Sequence, residues 1–294
     1  MPYKHFSEGF LRHYEARYPY ETYKSHKSAV NEFTKFLESS GITRLSEITT
    51  AVVNNYVTYL RTTKGDRANT CNNHLKNLQT QFNFAIKNGG LMKNNPAKDA
   101  KKVEINDAKK KGALSAEEYQ RFMEVAEERH LFYYPIFYTF LHTGLRFTEL
   151  ISLRWEDIDW KAKTLWVMKP KGKKKPEPIS IHDSLIKTLQ SLPKRGDYVF
   201  MDEDGKPFCA RTRKLVRRLK DILKEAGITS ISTLHELRHT YCSQLFRVGF
   251  NPREVQRQMR HSELGVTEGY AHIFMPEYNK KIDRLQRLDK RKKG

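Results

Sequence analysis

Met259-Arg260-His261-Ser262-Glu263-Leu264-Gly265-Val266-Thr267-Glu268-Gly269-Tyr270-Ala271-His272 lies close to the C-terminus and sets a tyrosine nine residues beyond a histidine. Alone, the stretch reads as a polar helix-turn-helix in which Tyr270 is one more packing residue. Upstream, however, Arg146, Lys171, His235 and Arg238 supply cationic side chains of the kind that hold a phosphate. Beside them Tyr270 reads as a nucleophile. The remainder of the chain has to decide between these readings.

The chain has 294 residues, enough for two domains that each bury a core. Its 54 Lys+Arg against 34 Asp+Glu give a formal charge of +20. An excess of that size draws a polyanion, nucleic acid first and anionic membrane second. No run of about 18 apolar residues is present to span a bilayer. The opening Met-Pro-Tyr-Lys-His lacks the apolar core of a signal peptide. Cys71, Cys209 and Cys242 are scattered, with no Cys-x-x-Cys spacing, which fits a reducing compartment and disfavours a cysteine zinc site. The expectation is a soluble, cytosolic nucleic-acid binder with no membrane partner.

Apolar spacing predicts helices over residues 20–40, about 50–60 and 67–87, with Ala29, Val30, Phe33, Phe36 and Leu37 as the first stripe. Thr49 or Thr50 is the cap of the second, and glycines follow the first and third. Lys24, Lys27, Lys35, Arg61, Lys64, Arg67, Lys76 and Lys87 fall on the outer faces, either as a DNA-facing set or as a solvated surface. Residues 101–112 are charged and poor in apolar side chains, as in a linker. A second domain opens with the capping box Ser115-Ala116-Glu117-Glu118. A buried helix is expected over residues 131–141 and a turn over 155–159. Strands are expected near 164–168 and 178–181, flanking a very basic turn, with a further one at 198–200. Helical patterns resume over 210–226, 233–248, 252–260 and 263–271. The tail from Pro276 is amphipathic and could dock on a neighbouring subunit or on its own domain.

His235-Glu236-Leu237-Arg238-His239 fits H-E-x-x-H, a zinc metalloprotease signature that sets two histidines on one helical face. Against it, Arg238 would place a positive charge beside the metal, and proteolysis has no use for a +20 chain. The same residues suit phosphate chemistry. Arginine binds phosphate oxygens with a planar fork and stays charged at any working pH. Arg146 and Arg238 could thus neutralise charge building on a phosphodiester, or each could be half of an ordinary salt bridge, Arg146 with Glu149.

Taken in order, Thr143-Gly-Leu-Arg146-x-x-Glu149-Leu, Lys171-Gly, His235-x-Leu-Arg238-His-Thr, His261-Ser and Thr267-x-x-Tyr270-x-His resemble the tyrosine recombinase (phage integrase) family over roughly residues 113–275. The helical region before them resembles that family's core-binding domain. The resemblance implies a mainly α fold with a small β-sheet. It would comprise a helical core-binding domain at 1–100, a basic linker at 101–112, a catalytic domain at 113–275 and a tail helix at 276–294.

The implied activity is site-specific DNA recombination through a 3′-phosphotyrosyl intermediate. Tyr270 would be the nucleophile, Arg146 and Arg238 the phosphate clamp, His235 the proton acceptor or a phosphate ligand, and His261 a further donor. Lys171 would protonate the leaving 5′-oxygen, with Lys173 as the alternative in a turn crowded with lysines. The resemblance requires no cofactor and no metal. It implies double-stranded DNA as substrate, a homo-tetramer on paired sites with tail exchange, and room for accessory proteins. One departure stands out: Arg260 replaces the glycine common before the histidine of the fourth box, an extra charge that could touch the DNA backbone. A catalytically silent DNA-binding relative and a type IB topoisomerase-like relaxase are the competing readings.

Overall fold

The computed structural model describes residues 1–88, 90–105, 112–168, 175–209 and 213–261. The chain divides into two compact units, Met1–Lys110 and Lys111–Gly294.

The first unit is built from α1 (Tyr3–Arg17), α2 (Tyr20–Ser39), α3 (Thr50–Thr62) and α4 (Ala68–Lys87), with a single 3₁₀ turn at Leu45–Glu47. Thr49 is the cap of α3, its Oγ1 accepting from the Val52 N–H at 3.3 Å. Helix α1 was not singled out in the sequence, although Tyr3, Phe6, Phe10 and Tyr14 recur at helical spacing and are buried. Gly9 interrupts its stripe, and Pro2 at the N-cap offers no side-chain hydrogen bond. The core is aromatic. Phe33 meets Tyr3 edge-on at 5.4 Å and Tyr56 at 4.8 Å. Burying such a ring is worth roughly 2–3 kcal/mol, so these contacts dominate the unit's stability. The buried Tyr3 hydroxyl donates to Gln81 Oε1 at 2.9 Å and is therefore satisfied.

The start of the expected linker is fastened to this unit. The Lys101 N–H donates to Asn54 Oδ1, and Asn72 both donates to and accepts from the Val103 backbone, each at 2.9 Å. The lysines of 109–111 lie outside the described residues. The eight basic residues of the outer faces are all exposed. Lys64 is paired with Glu32 at 2.9 Å, and Arg61 donates to the Asp66 carbonyl.

The second unit contains α5 (Ala116–Arg129), α6 (Tyr134–Thr143), α7 (Phe147–Ile151), α8 (Asp183–Gln190), α9 (Lys214–Glu225), α10 (Leu234–Arg247) and α11 (Pro252–Met259). Between α7 and α8 lies an antiparallel sheet of β1 (Ile158–Asp159), β2 (Thr164–Val167) and β3 (Glu177–Ser180), in that order. Ser115 and Glu118 close the expected capping box on α5, with bonds of 3.1 and 2.9 Å.

Three local expectations are corrected. Tyr198 forms only an isolated bridge to Arg154, so residues 198–200 are not a strand, and the third strand comes instead from Ile158–Asp159. Leu131 and Phe132 are exposed, because the apolar run begins in a turn and becomes helical only at Tyr134. Helix α9 starts at Lys214, after the expected residue 210, and buries Leu215, Leu219, Ile222 and Leu223 on one side. No described helix is long and apolar enough to cross a membrane.

Candidate active site

Three helix ends converge around Gly144. This residue closes α6 with φ +57°, a left-handed conformation that costs L-residues energy. A Cβ there would also stand 2.6 Å from Tyr241 on α10 and 2.9 Å from the Met259 sulfur at the end of α11. Glycine is thus required twice, for the turn and for the close approach. Two residues later Arg146 is the N-cap of α7. Its N–H and its Nη1 both donate to Glu149, at 2.8 Å each, so the side chain is held by the first turn of its own helix. The ion pair that spacing allowed is therefore present. It leaves 28% of the Arg146 side chain exposed.

Arg238, on α10, is 3% exposed. Its Nη1 donates to the Gly144 carbonyl and its Nη2 to the Met259 carbonyl at 2.5 Å. These oxygens belong to the ends of α6 and α11, where carbonyls lack intrahelical partners and the helix dipoles are negative. The salt bridge to an acidic neighbour that was weighed for Arg238 is not what holds it. The guanidinium ties two helix ends together. Burial and the nearby charges of Arg146 and Arg260 push its pKa down to about 10, still well above neutrality.

Arg260 differs most from expectation. Instead of reaching outward it is 3% exposed, at φ +54°, and its Nη2 donates to Glu149 Oε2 at 2.6 Å. Glu149 therefore bridges two arginines. Burial pushes the Glu149 carboxyl up, but the Arg260 charge and the Arg146 hydrogen bonds outweigh it and hold it below the usual carboxylate range. Among the described residues, Arg260 Nε and Nη1 have no hydrogen-bond partner. Arg146, Arg238 and Arg260 lie together, and Glu149 is hydrogen-bonded to only two of them, which among the described residues leaves a buried positive excess that suits an incoming anion.

His235 lies one turn before Arg238 on α10 and is exposed, its ring edge-on to His239 at 4.7 Å. His261 directly follows Arg260, is partly buried, and its N–H donates to the Gln256 carbonyl at 3.0 Å. Lys171, the alternative Lys173, and Tyr270 lie outside the described residues. Glu236 decides the metalloprotease reading. Its Oε2 accepts from the Ser232 and Thr233 N–H groups at 2.7 and 2.8 Å and from the Thr233 hydroxyl at 3.0 Å. The carboxylate is spent on starting α10, which sets it against a role as the base of a metal-bound water.

Sequence reasoning missed two parts of this cluster, the bridging role of Glu149 and the inward turn of Arg260. The first had a signal, since an arginine three residues before a glutamate at a helix start allows a capping pair. The second had only the substitution of a charged residue where a helix ends.

The model of the phage integrase family matches residues 113–277, more than half of the chain. The chain belongs to the phage integrase family of tyrosine recombinases. The phage integrase SAM-like domain matches residues 4–105 of this family member. A tyrosine recombinase XerC of Bacillus pumilus is 26% identical over 88% of this chain and 88% of its own length. The ICEBs1 integrase of Bacillus subtilis is 23% identical over 90% of this chain and 77% of its own. In fold, the chain is similar to the Tn1549 transposon integrase solved in complex with transposon right end DNA. That likeness has a TM-score of 0.80 at 20% identity, covering 97% of this chain and all of that one. A lambda integrase tetramer bound to a Holliday junction gives 0.72 at 18% identity, over 90% of this chain and 78% of that one.

Proposed function

We propose that the chain is a site-specific DNA recombinase in which Tyr270 attacks a scissile phosphate held by Arg146 and Arg238, with His235 and His261 as further ligands or proton carriers. The observation that carries this reading is the arginine cluster at the junction of α6, α10 and α11, in which Glu149 holds Arg146 and Arg260 while Arg238 is held by backbone carbonyls.

Each step balances. A phenol with a pKa near 10 needs a proton acceptor or a positive field, and His235 accepts the proton as the tyrosine oxygen bonds to phosphorus. The bond from phosphorus to the 5′-oxygen breaks, and Lys171, or Lys173, donates a proton to that oxygen. The arginines stabilise the charge on the non-bridging oxygens. Since the phosphotyrosine bond retains the phosphodiester energy, a 5′-hydroxyl from another strand reverses the step with no cofactor.

The substrate is double-stranded DNA, in keeping with the +20 charge and with the relatives solved on DNA. Assembly as a tetramer on paired sites follows the lambda integrase likeness, with the tail from Pro276 as the exchanged segment. No disulfide joins Cys71, Cys209 and Cys242, in accord with a DNA-associated protein of the cytoplasm.

The test of this function incubates two end-labelled duplexes bearing the same site with the full chain and EDTA. Joint molecules that are absent with Tyr270→Phe support recombination. Relaxation of supercoils without joints would indicate the topoisomerase-like reading, and tight binding without either would indicate the silent relative.

A further inference from the structure

Arg260 is costly by two measures, and the cost calls for a return. It occupies the left-handed C-cap of α11 at φ +54°, a conformation in which glycine is free of strain and a branched, charged side chain is not. Its guanidinium is also almost wholly removed from water, the side chain being 1% exposed. A charge placed there has to act on something buried. Its partner is Glu149 Oε2, 6% exposed and at 2.6 Å, on the carboxylate whose Oε1 accepts from Arg146 Nη1 and whose Oε2 also accepts from the Arg146 N–H, each at 2.8 Å.

We propose that Arg260 is a positioning residue of the recombination site: by occupying one oxygen of Glu149 it fixes that carboxylate against Arg146 and prevents it from neutralising Arg146 alone. The inference rests on the reading of Arg146 as a phosphate clamp. In a chain with glycine at 260, the Glu149 carboxylate would be hydrogen-bonded to the Arg146 guanidinium alone among the described residues. With Arg260 present, the same carboxylate is divided between two guanidiniums, and more positive field is left for the phosphate. Arg260 thereby sets both the aim of Arg146 and the charge the site offers.

The groups around Glu149 are Arg146 on its own helix, Arg238 on α10 and Arg260 at the end of α11, and Glu177 of β3 acts on Arg260 from the sheet. Glu149 titrates below the usual carboxylate range because its own burial is outweighed, first by Arg260 and then by Arg146. With Arg260 removed, the carboxyl should take up a proton at a higher pH. The acid limb of cleavage should rise with it, a change that loss of packing alone would not produce.

The test compares the full chain with Arg260→Gly, Arg260→Met and Arg260→Lys on a nicked duplex under single-turnover conditions at saturating protein. Arg260→Gly relieves the backbone strain, so its folding is protected. The expected result for Arg260→Gly and Arg260→Met is a cleavage rate lower by roughly 10- to 100-fold, with DNA affinity within about threefold and the acid limb moved to higher pH. Arg260→Lys should restore most of the rate. In a Glu149→Gln background, Arg260→Met should add less than about twofold, because the residue acts through that carboxylate. An equal loss in that background, or unchanged cleavage with an unmoved acid limb, overturns the proposal.

Urea melts of the same proteins across pH need no DNA. A smaller loss of stability on acidification in Arg260→Gly and Arg260→Met than in the unsubstituted chain supports the Arg260–Glu149 link, because the folded carboxyl then titrates closer to the unfolded one, and coincident curves overturn it. A wild-type chain that forms no Tyr270-dependent adduct while these melts separate would instead count against the phosphate-clamp reading.

Discussion

A methyl group at position 144 would meet Tyr241 at 2.6 Å and the Met259 sulfur at 2.9 Å, on a backbone already at φ +57°. The left-handed conformation and the overpacking each cost a β-carbon about 1–3 kcal/mol, so Gly144→Ala should lose roughly 2–6 kcal/mol in a urea melt. The same substitution displaces the carbonyl that Arg238 holds, so DNA cleavage should fall further than stability alone explains. Glu236 gives the contrasting case. As a capping carboxylate, its replacement in Glu236→Gln should cost about 1–2 kcal/mol and leave the covalent DNA adduct intact. Complete loss of activity with an undisturbed fold would restore the metal reading. At this scale, Arg146 and Arg238 were legible as cations and Glu149 as a possible partner. That Arg238 spends both Nη groups on backbone carbonyls was not legible, because such partners leave no trace in residue types.

Helices α5, α6 and α8 are joined by a chain of hydrogen bonds through two histidines. The Leu185 N–H donates to His182 Nδ1 at 3.3 Å, which fixes the proton of the neutral ring on Nε2. That N–H donates to His142 Nδ1 at 2.8 Å, and His142 Nε2 in turn donates to the Tyr119 hydroxyl at 2.7 Å. Burial, and secondarily His182, push the His142 pKa down to about 4. In the unfolded chain the same ring titrates near 6.5, so as pH falls the unfolded state takes up the proton first. The neutral ring's contribution is complete above about pH 6.5 and is lost progressively toward pH 4. After allowance for solvent, this loss should be roughly 2 kcal/mol. His142→Gln should be less stable at pH 7 but should lose about that much less between pH 7 and 4.5, measured by urea midpoints. Most of the helices were legible from apolar spacing and caps, as in α2, α5 and α10. Helix α1 was hidden by Gly9, and β1 by its length of two residues, too short to show alternation.

Each unit of the molecule has its own core, one centred on Phe33 and Tyr56, the other on Phe122, Phe137 and Leu237. A fragment of residues 1–105 should therefore fold by itself, with a cooperative urea transition and a helical far-ultraviolet spectrum; a gradual, non-cooperative transition would contradict that independence. The +20 charge predicts that DNA binding weakens steeply with salt, each neutralised phosphate adding about −0.9 to the log–log slope, whereas a flat response would contradict binding through the phosphate backbone. At this scale the sequence carried most of the answer, because spaced boxes and net charge do not depend on side-chain geometry. The Lys171 turn and the Tyr270 segment, outside the described residues, rest on those boxes alone. The most direct test offers the full chain a pool of nicked duplexes of randomised sequence in EDTA and maps any denaturation-resistant DNA adduct by mass spectrometry. The account predicts a nucleotide on Tyr270, absent from Tyr270→Phe and unaffected by the chelator. An adduct on another residue, or cleavage that needs a metal, would contradict it.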